Sequence, residues 1–125
     1  MILADSSIWI DFFRGSLPEM AKHLVDDQIA MHPFVAAELA LGSLKDRQSM
    51  LADLDGLPQL EVAYLDEVRS MIEIHKLYSK GIGLVDMHLI ASCLINPGTQ
   101  LWTRDNRLAS VAGSLGVAAK LPLLN

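Results

Sequence analysis

Four acidic residues stand in stretches that are otherwise apolar. Asp5 ends the run Ile2-Leu3-Ala4, and Asp105 follows Leu101-Trp102-Thr103 with Arg104 between. Glu38 is the only ionisable group between Phe34 and Gly42, and Asp86 has Leu89 and Ile90 three and four residues on. Each has an ordinary reading by itself: a helix cap for Asp5 and Asp105, the rim of a buried helix for Glu38, a first-turn carboxylate for Asp86. The helix dipole favours Asp86 by a few tenths to about 1 kcal/mol, too little to offset several kcal/mol for burying an unpaired charge. A buried Asp86 therefore needs a cation or a proton. Two carboxylates about 4 Å apart repel by roughly 1 kcal/mol in water and about 4 at an effective dielectric of 20, so four converging acids need a cation between them. All-oxygen ligation suits Mg²⁺ or Mn²⁺ rather than zinc, and the chemistry most at home there is phosphodiester hydrolysis.

Convergence is the task of the elements around these residues. Ile2-Leu3-Ala4 reads as a strand buried on both faces, with Ser6 or Ser7 capping a helix to Phe13 that exposes Asp11. Gln28 to Met31 is a second strand, stopped by His32-Pro33, and Phe34 to Leu41 a helix. A further helix runs from Leu44 to about Leu54, Leu60-Glu61-Val62 is a third strand, and Tyr64 to Ser79 has helical spacing. Gly81-Ile82-Gly83 leads into an apolar helix, Leu84 to Ile95. Gln100 to Thr103 is a fourth strand, Asp105 to Ala112 a helix, and Gly116-Val117-Ala118 a brief fifth strand. Strands alternate with helices and no hairpin signature intervenes. This predicts a three-layer α/β/α domain over residues 1–125 with a central parallel sheet of about five strands. At the ends of such strands the four acids have a place to meet.

Composition narrows the class. At 125 residues and 51% hydrophobic, the chain is one globular domain with a genuine core. A net charge of −5 argues against holding nucleic acid by bulk electrostatics, but not against binding phosphates through metal and a few local cations. Arg14, Lys45, Arg47, Arg104 and Arg107 are the candidates for those contacts. The lone Cys93 fits a reducing, cytoplasmic setting; Asp5 and Asp11 interrupt any signal-peptide pattern, and no apolar run is long enough to span a bilayer.

The succession Asp5-Ser6-Ser7-Ile8-Trp9-Ile10, Glu38-Leu39 in an apolar helix ending at Gly42, Gly83-Leu84-Val85-Asp86, and Thr103-Arg104-Asp105 resembles the motifs of PIN-domain ribonucleases, above all VapC-type toxins. The likeness runs from the first residues to the last helix, in order and at similar spacing. It implies a five-stranded parallel sheet, Mg²⁺- or Mn²⁺-dependent endoribonuclease activity, a homodimer, and inhibition by a VapB-type antitoxin. By position, Asp5 and Asp86 would be metal ligands, Glu38 would act on metal through water, and Asp105 would complete the site. Ser7 and Thr103 match the supporting hydroxyls. Where many relatives carry a further acid, Asn106 and Arg107 stand here, which puts a second metal in doubt and offers Arg107 to a phosphate.

Two alternatives differ in class. A phosphoacceptor receiver domain has similar length and Mg²⁺ chemistry, with Asp53 or Asp55 as phosphorylated residue and Lys120 as its lysine. It wants a pair of acids after strand one, where Asp5 is followed by two serines, and it leaves Asp86 idle. A catalytically inert PIN-like binding module would be suggested by loss of one acid, yet all four are present.

Overall fold

Three short parallel strands frame the computed structural model, which describes residues 1–121. They are β1 (Ile2–Ala4), β2 (Ile29–Ala30) and β3 (Gln100–Trp102), in the order β2-β1-β3. Ile2 lies opposite both Ile29 and Gln100, and Ala4 opposite Trp102. Leu3 and Ala4 are both fully buried. Burial of consecutive residues, rather than alternate ones, marks a parallel strand covered on both faces.

The helices are α1 (Ser6–Phe13), α2 (Pro18–Val25), α3 (Pro33–Ala40), α4 (Arg47–Asp55), α5 (Leu65–Ile74), α6 (Leu84–Ile95) and α7 (Asn106–Ser114). The chain steps from β1 to β2 on one side, then returns past β1 to β3. Because parallel crossovers are right-handed, the two outward steps, β1 to β2 and β2 to Gln59 beside Met31, put α1–α4 on one face, where α1 packs on α3, and the return to β3 puts α5–α6 on the other, giving the three layers the sequence implied. The same reversal makes the carboxyl end of β1 a topological switch point, where open α/β sheets bind ligands.

The two outermost expected strands contract to single parallel bridges, Met31 with Gln59 and Leu101 with Ala118. They keep their places at the two edges: Leu60 N–H donates to Met31 O at 2.8 Å, and Ala119 N–H to Leu101 O at 2.9 Å. Neighbouring backbone explains the contraction. Pro33, which lacks an N–H, stops β2 early, and Gly116 turns with φ +74° just before Val117. Two helices are also shorter than their apolar spacing suggests. Asp46 adopts φ 50°, so α4 starts at Arg47; Lys76 and Ser79 adopt φ 54° and 60°, so α5 stops at Ile74.

Helix starts here double as positions for function. His32 is fully buried and its Nδ1 accepts from Phe34 N–H at 3.0 Å, capping the helix that carries Glu38. Its burial, with His88 nearby, lowers its pKa to about 4. Asp11, expected on the exposed face of α1, is instead 6% exposed and paired with Arg104.

Candidate active site

Asp5 sits where β1 gives way to α1, and its backbone N–H donates to Trp102 O of β3 at 3.0 Å. The carboxylate itself is the cap of α1: Oδ1 accepts from Ile8 N–H at 3.2 Å, so the cap is Asp5 and not Ser6 or Ser7. Ser7 Oγ donates to the same oxygen at 2.5 Å, while Thr103 Oγ donates a short bond to Oδ2. Both hydroxyls picked out in the sequence thus reach Asp5, one from the helix and one from the end of β3. Burial nevertheless prevails over these bonds and raises the Asp5 pKa.

Two of the other acids feel its charge. Glu38 is exposed on α3, and Ser6 Oγ reaches its Oε1 at 3.4 Å. Its pKa is raised by desolvation, and also by the charges of Asp86 and Asp5. Asp86, half-buried in the first turn of α6, is raised by desolvation and then by Asp5 and Asp105. Asp105 caps α7, its Oδ1 accepting from Arg107 N–H at 2.8 Å and Leu108 N–H at 3.3 Å. Asp105 N–H in turn donates to Thr103 Oγ at 3.0 Å, joining the two motif residues. The charge of Asp5 thus reaches both Glu38 and Asp86, and that of Asp105 reaches Asp86.

Among the described residues, no three His, Cys, Asp or Glu side chains close into a ready-made metal cage. An open set of oxygens suits Mg²⁺ and Mn²⁺ chemistry, because Mg²⁺ retains several waters and commonly takes only one or two carboxylates directly. The raised carboxyls carry the same implication, since a cation would relieve both their burial and their mutual repulsion.

The cations divide. Arg14 and Lys45 line a groove of about 860 Å³ between α1, α3 and α4. Glu38 and Ser6 form one end of its lining, with Ile10, Phe13, Leu44 and Met50 as its apolar part. Arg47 spends its guanidinium on the end of α3, donating to Ala40 O at 2.5 Å and Gly42 O at 3.2 Å. Arg104 meets Asp11 Oδ2 at 2.5 Å. Arg107 lies across the backbone of Gly81, where a Cβ would come within 2.9 Å of its Cδ and Nη1; Gly81 has φ +80°, a second reason for glycine there. Sequence reasoning gave Ser6 only a capping role and Asp11 only an exposed place on α1. Ser6 was visible as a hydroxyl beside Asp5, whereas nothing local distinguishes Asp11 from an exposed helix acid. Asp53 and Asp55 stand on α4 rather than at a strand end, so the receiver arrangement has no phosphoacceptor in place.

The sequence matches the PIN domain over residues 2–114. It is 41% identical over 118 residues to "Ribonuclease VapC32" of Mycobacterium tuberculosis strain CDC 1551 / Oshkosh, covering 94% of this chain and 95% of that protein. The same figures hold for "Ribonuclease VapC32" of strain ATCC 25618 / H37Rv. With a match across nearly its whole length, the chain belongs to the PIN-domain family, among its VapC-type members.

Proposed function

We propose that this protein is a Mg²⁺- or Mn²⁺-dependent endoribonuclease acting as the toxin of a toxin–antitoxin pair. One observation carries the reading: Asp5, gripped by two hydroxyls at the end of β1, shares its potential with Glu38 and Asp86, and all three carboxyls are raised. Asp5 and Asp86 would hold the cation, with Asp105 completing the set. When bound, such an ion acidifies water and stabilises charge on the phosphodiester oxygens. Ser7 and Thr103 fix both Asp5 oxygens so that no reorientation is needed on binding. Glu38, exposed and tethered by Ser6, is placed to orient the attacking water and accept its proton.

Arg14 and Lys45 supply substrate phosphate contacts from the groove, and Arg107 from the Gly81 side. The apolar part of the groove, lined by Ile10 and Phe13, suits a VapB-type antitoxin, and an occupant there would cover Glu38. We place the protein in the cytoplasm as a homodimer, as its likeness to VapC-type toxins implies.

The decisive test is cleavage of single-stranded RNA with Mn²⁺ and in EDTA, by wild type and by Asp5→Ala and Asp86→Ala. Loss of cleavage in EDTA and in both variants is expected. Full activity in EDTA, or undiminished activity of either variant, would sink the assignment. Expression in bacteria adds the second half: growth arrest should be relieved by Asp5→Ala and by coexpressed antitoxin.

A further inference from the structure

Asp11 lies on α1 six residues beyond Asp5, and burial leaves its side chain 9% exposed against 40% for its partner Arg104. It is the fixed member of the pair, and Arg104 is brought to it. Arg104 stands between Thr103 and Asp105, in the segment that supplies two residues of the site. Its backbone N–H donates to Ser7 Oγ at 3.2 Å, and that hydroxyl spends its one proton on Asp5 Oδ1 at 2.5 Å. The neighbouring Thr103 Oγ donates to Asp5 Oδ2 and accepts from Asp105 N–H. Both oxygens of Asp5 are thus aimed by groups whose positions depend on how residues 103–105 stand against α1. The sheet fixes the chain only as far as Trp102, whose carbonyl accepts from Asp5 N–H at 3.0 Å. Past that point the chain leaves the sheet. A charge-assisted Arg–carboxylate bond is among the stronger links available to hold it.

We propose that Asp11 is a positioning residue for the reaction: through Arg104 it clamps the Thr103–Asp105 segment onto α1 and so keeps Asp5 aimed at the cation. The inference rests on the reading of Asp5 as a metal ligand. Asp11 itself touches neither substrate nor reacting atoms. Its charge is what matters, because a neutral side chain of the same shape holds the guanidinium less firmly.

The test compares Asp11→Asn, Arg104→Gln, the double variant and Asp5→Asn. Mn²⁺ affinity is read from the free-ion electron paramagnetic resonance signal, independently of cleavage, and kcat and KM are read on a single-stranded oligoribonucleotide. Loss of a group that orients a metal ligand costs about tenfold or more in metal affinity or activity. Asp11→Asn is expected to weaken Mn²⁺ binding and lower kcat by about that factor, with KM little changed. A residue that served only stability would lower the melting temperature and leave the Mn²⁺ affinity of the folded protein alone. If the pair acts as one unit, the double variant loses no more Mn²⁺ affinity than the worse single variant.

Wild-type Mn²⁺ affinity and kcat in folded Asp11→Asn overturn the proposal, as do losses that multiply in the double variant. Should Asp11→Asn not fold, the double variant decides: wild-type Mn²⁺ affinity there overturns the proposal. Asp5→Asn separates the two levels. If it loses Mn²⁺ while Asp11→Asn does not, only the clamp fails. If Asp5→Asn binds Mn²⁺ as wild type does, the ligand reading falls and takes the clamp with it.

Discussion

Replacing Asp86 by Asn is expected to stabilise the metal-free protein while removing its response to metal. Asp86 is half-buried, and its carboxyl is raised by desolvation and then by the charges of Asp5 and Asp105. Asn keeps the shape and an oxygen to accept from the Gly83 backbone, but carries no charge. Two unit charges about 6–8 Å apart repel by about 2–3 kcal/mol at an effective dielectric of 20. Solvent exposure and salt discount this heavily, and the lost interaction with the N-terminus of α6 subtracts about 0.3–1 kcal/mol. A net gain of about 1 kcal/mol remains, which raises the melting temperature by about 3–5 °C in a domain of this size. In Mn²⁺ the order should invert. An ion at about a hundredfold excess over its Kd stabilises wild type by about 2.7 kcal/mol, and the variant by much less. Thermal melts followed by circular dichroism, in EDTA and in excess Mn²⁺, read both effects. A variant that melts below wild type in EDTA would refute the argument that mutual repulsion and burial burden this site, and an equal Mn²⁺ shift in both proteins would refute the ligand role.

The same electrostatics fixes a pH dependence. The carboxyls of Asp5, Glu38 and Asp86 are raised above their ordinary values of 3.8 and 4.5, so the stability they contribute is full below those values and lost as pH rises through the raised ones. The advantage of Asp86→Asn in EDTA should therefore shrink as pH falls; an advantage independent of pH would contradict this. His32 has the opposite sign: lowered from 6.5 to about 4, it withdraws stability as pH falls between those values. His32→Asn, which retains a good capping side chain, should flatten the acid limb of a denaturation profile, and an unchanged limb would count against His32 as its source. On the groove, Lys45→Gln and Arg14→Gln should each raise KM for single-stranded RNA several-fold at constant kcat and reduce the salt slope of binding by about 0.7; an unaltered slope would remove that residue from the RNA path. Gly81→Ala should cost about 1 kcal/mol or more from its φ of +80° alone and should displace Arg107, visible as a change in RNA affinity that Arg107→Gln reproduces without the loss of stability.

What the sequence made legible was short-range. The apolar run Ile2–Ala4 announces β1, and the acid that ends it lies where parallel sheets bind ligands. Apolar patterning located most helix cores but not every end, because left-handed backbone that no apolar pattern encodes delays α4 at Asp46 and follows the early end of α5 at Lys76 and Ser79. Cap and ligand looked like alternatives for Asp5, with Ser6 or Ser7 inheriting the cap. In the fold the two roles share one carboxylate: Oδ1 takes the helix N–H and the Ser7 hydroxyl, and Oδ2 takes Thr103. Asp105 likewise caps α7 through Oδ1. The contacts that fix the site cross the chain. Asp5 meets Thr103 from 98 residues away and Asp11 meets Arg104 from 93, so local spacing reveals neither; the motif likeness pointed to Thr103, and nothing pointed to Asp11. Those contacts also occupy two of the candidate cations. Arg104 engages a buried carboxylate and Arg47 engages helix carbonyls, while Arg14 and Lys45 share a groove with Glu38 and Arg107 lies on Gly81, in a chain whose net charge is −5. On the proposed reading, so few cations cannot by themselves offset the repulsion between four carboxylates and a phosphodiester. The divalent ion must then make the site approachable as well as reactive, and metal should tighten RNA binding even in variants too slow to cleave.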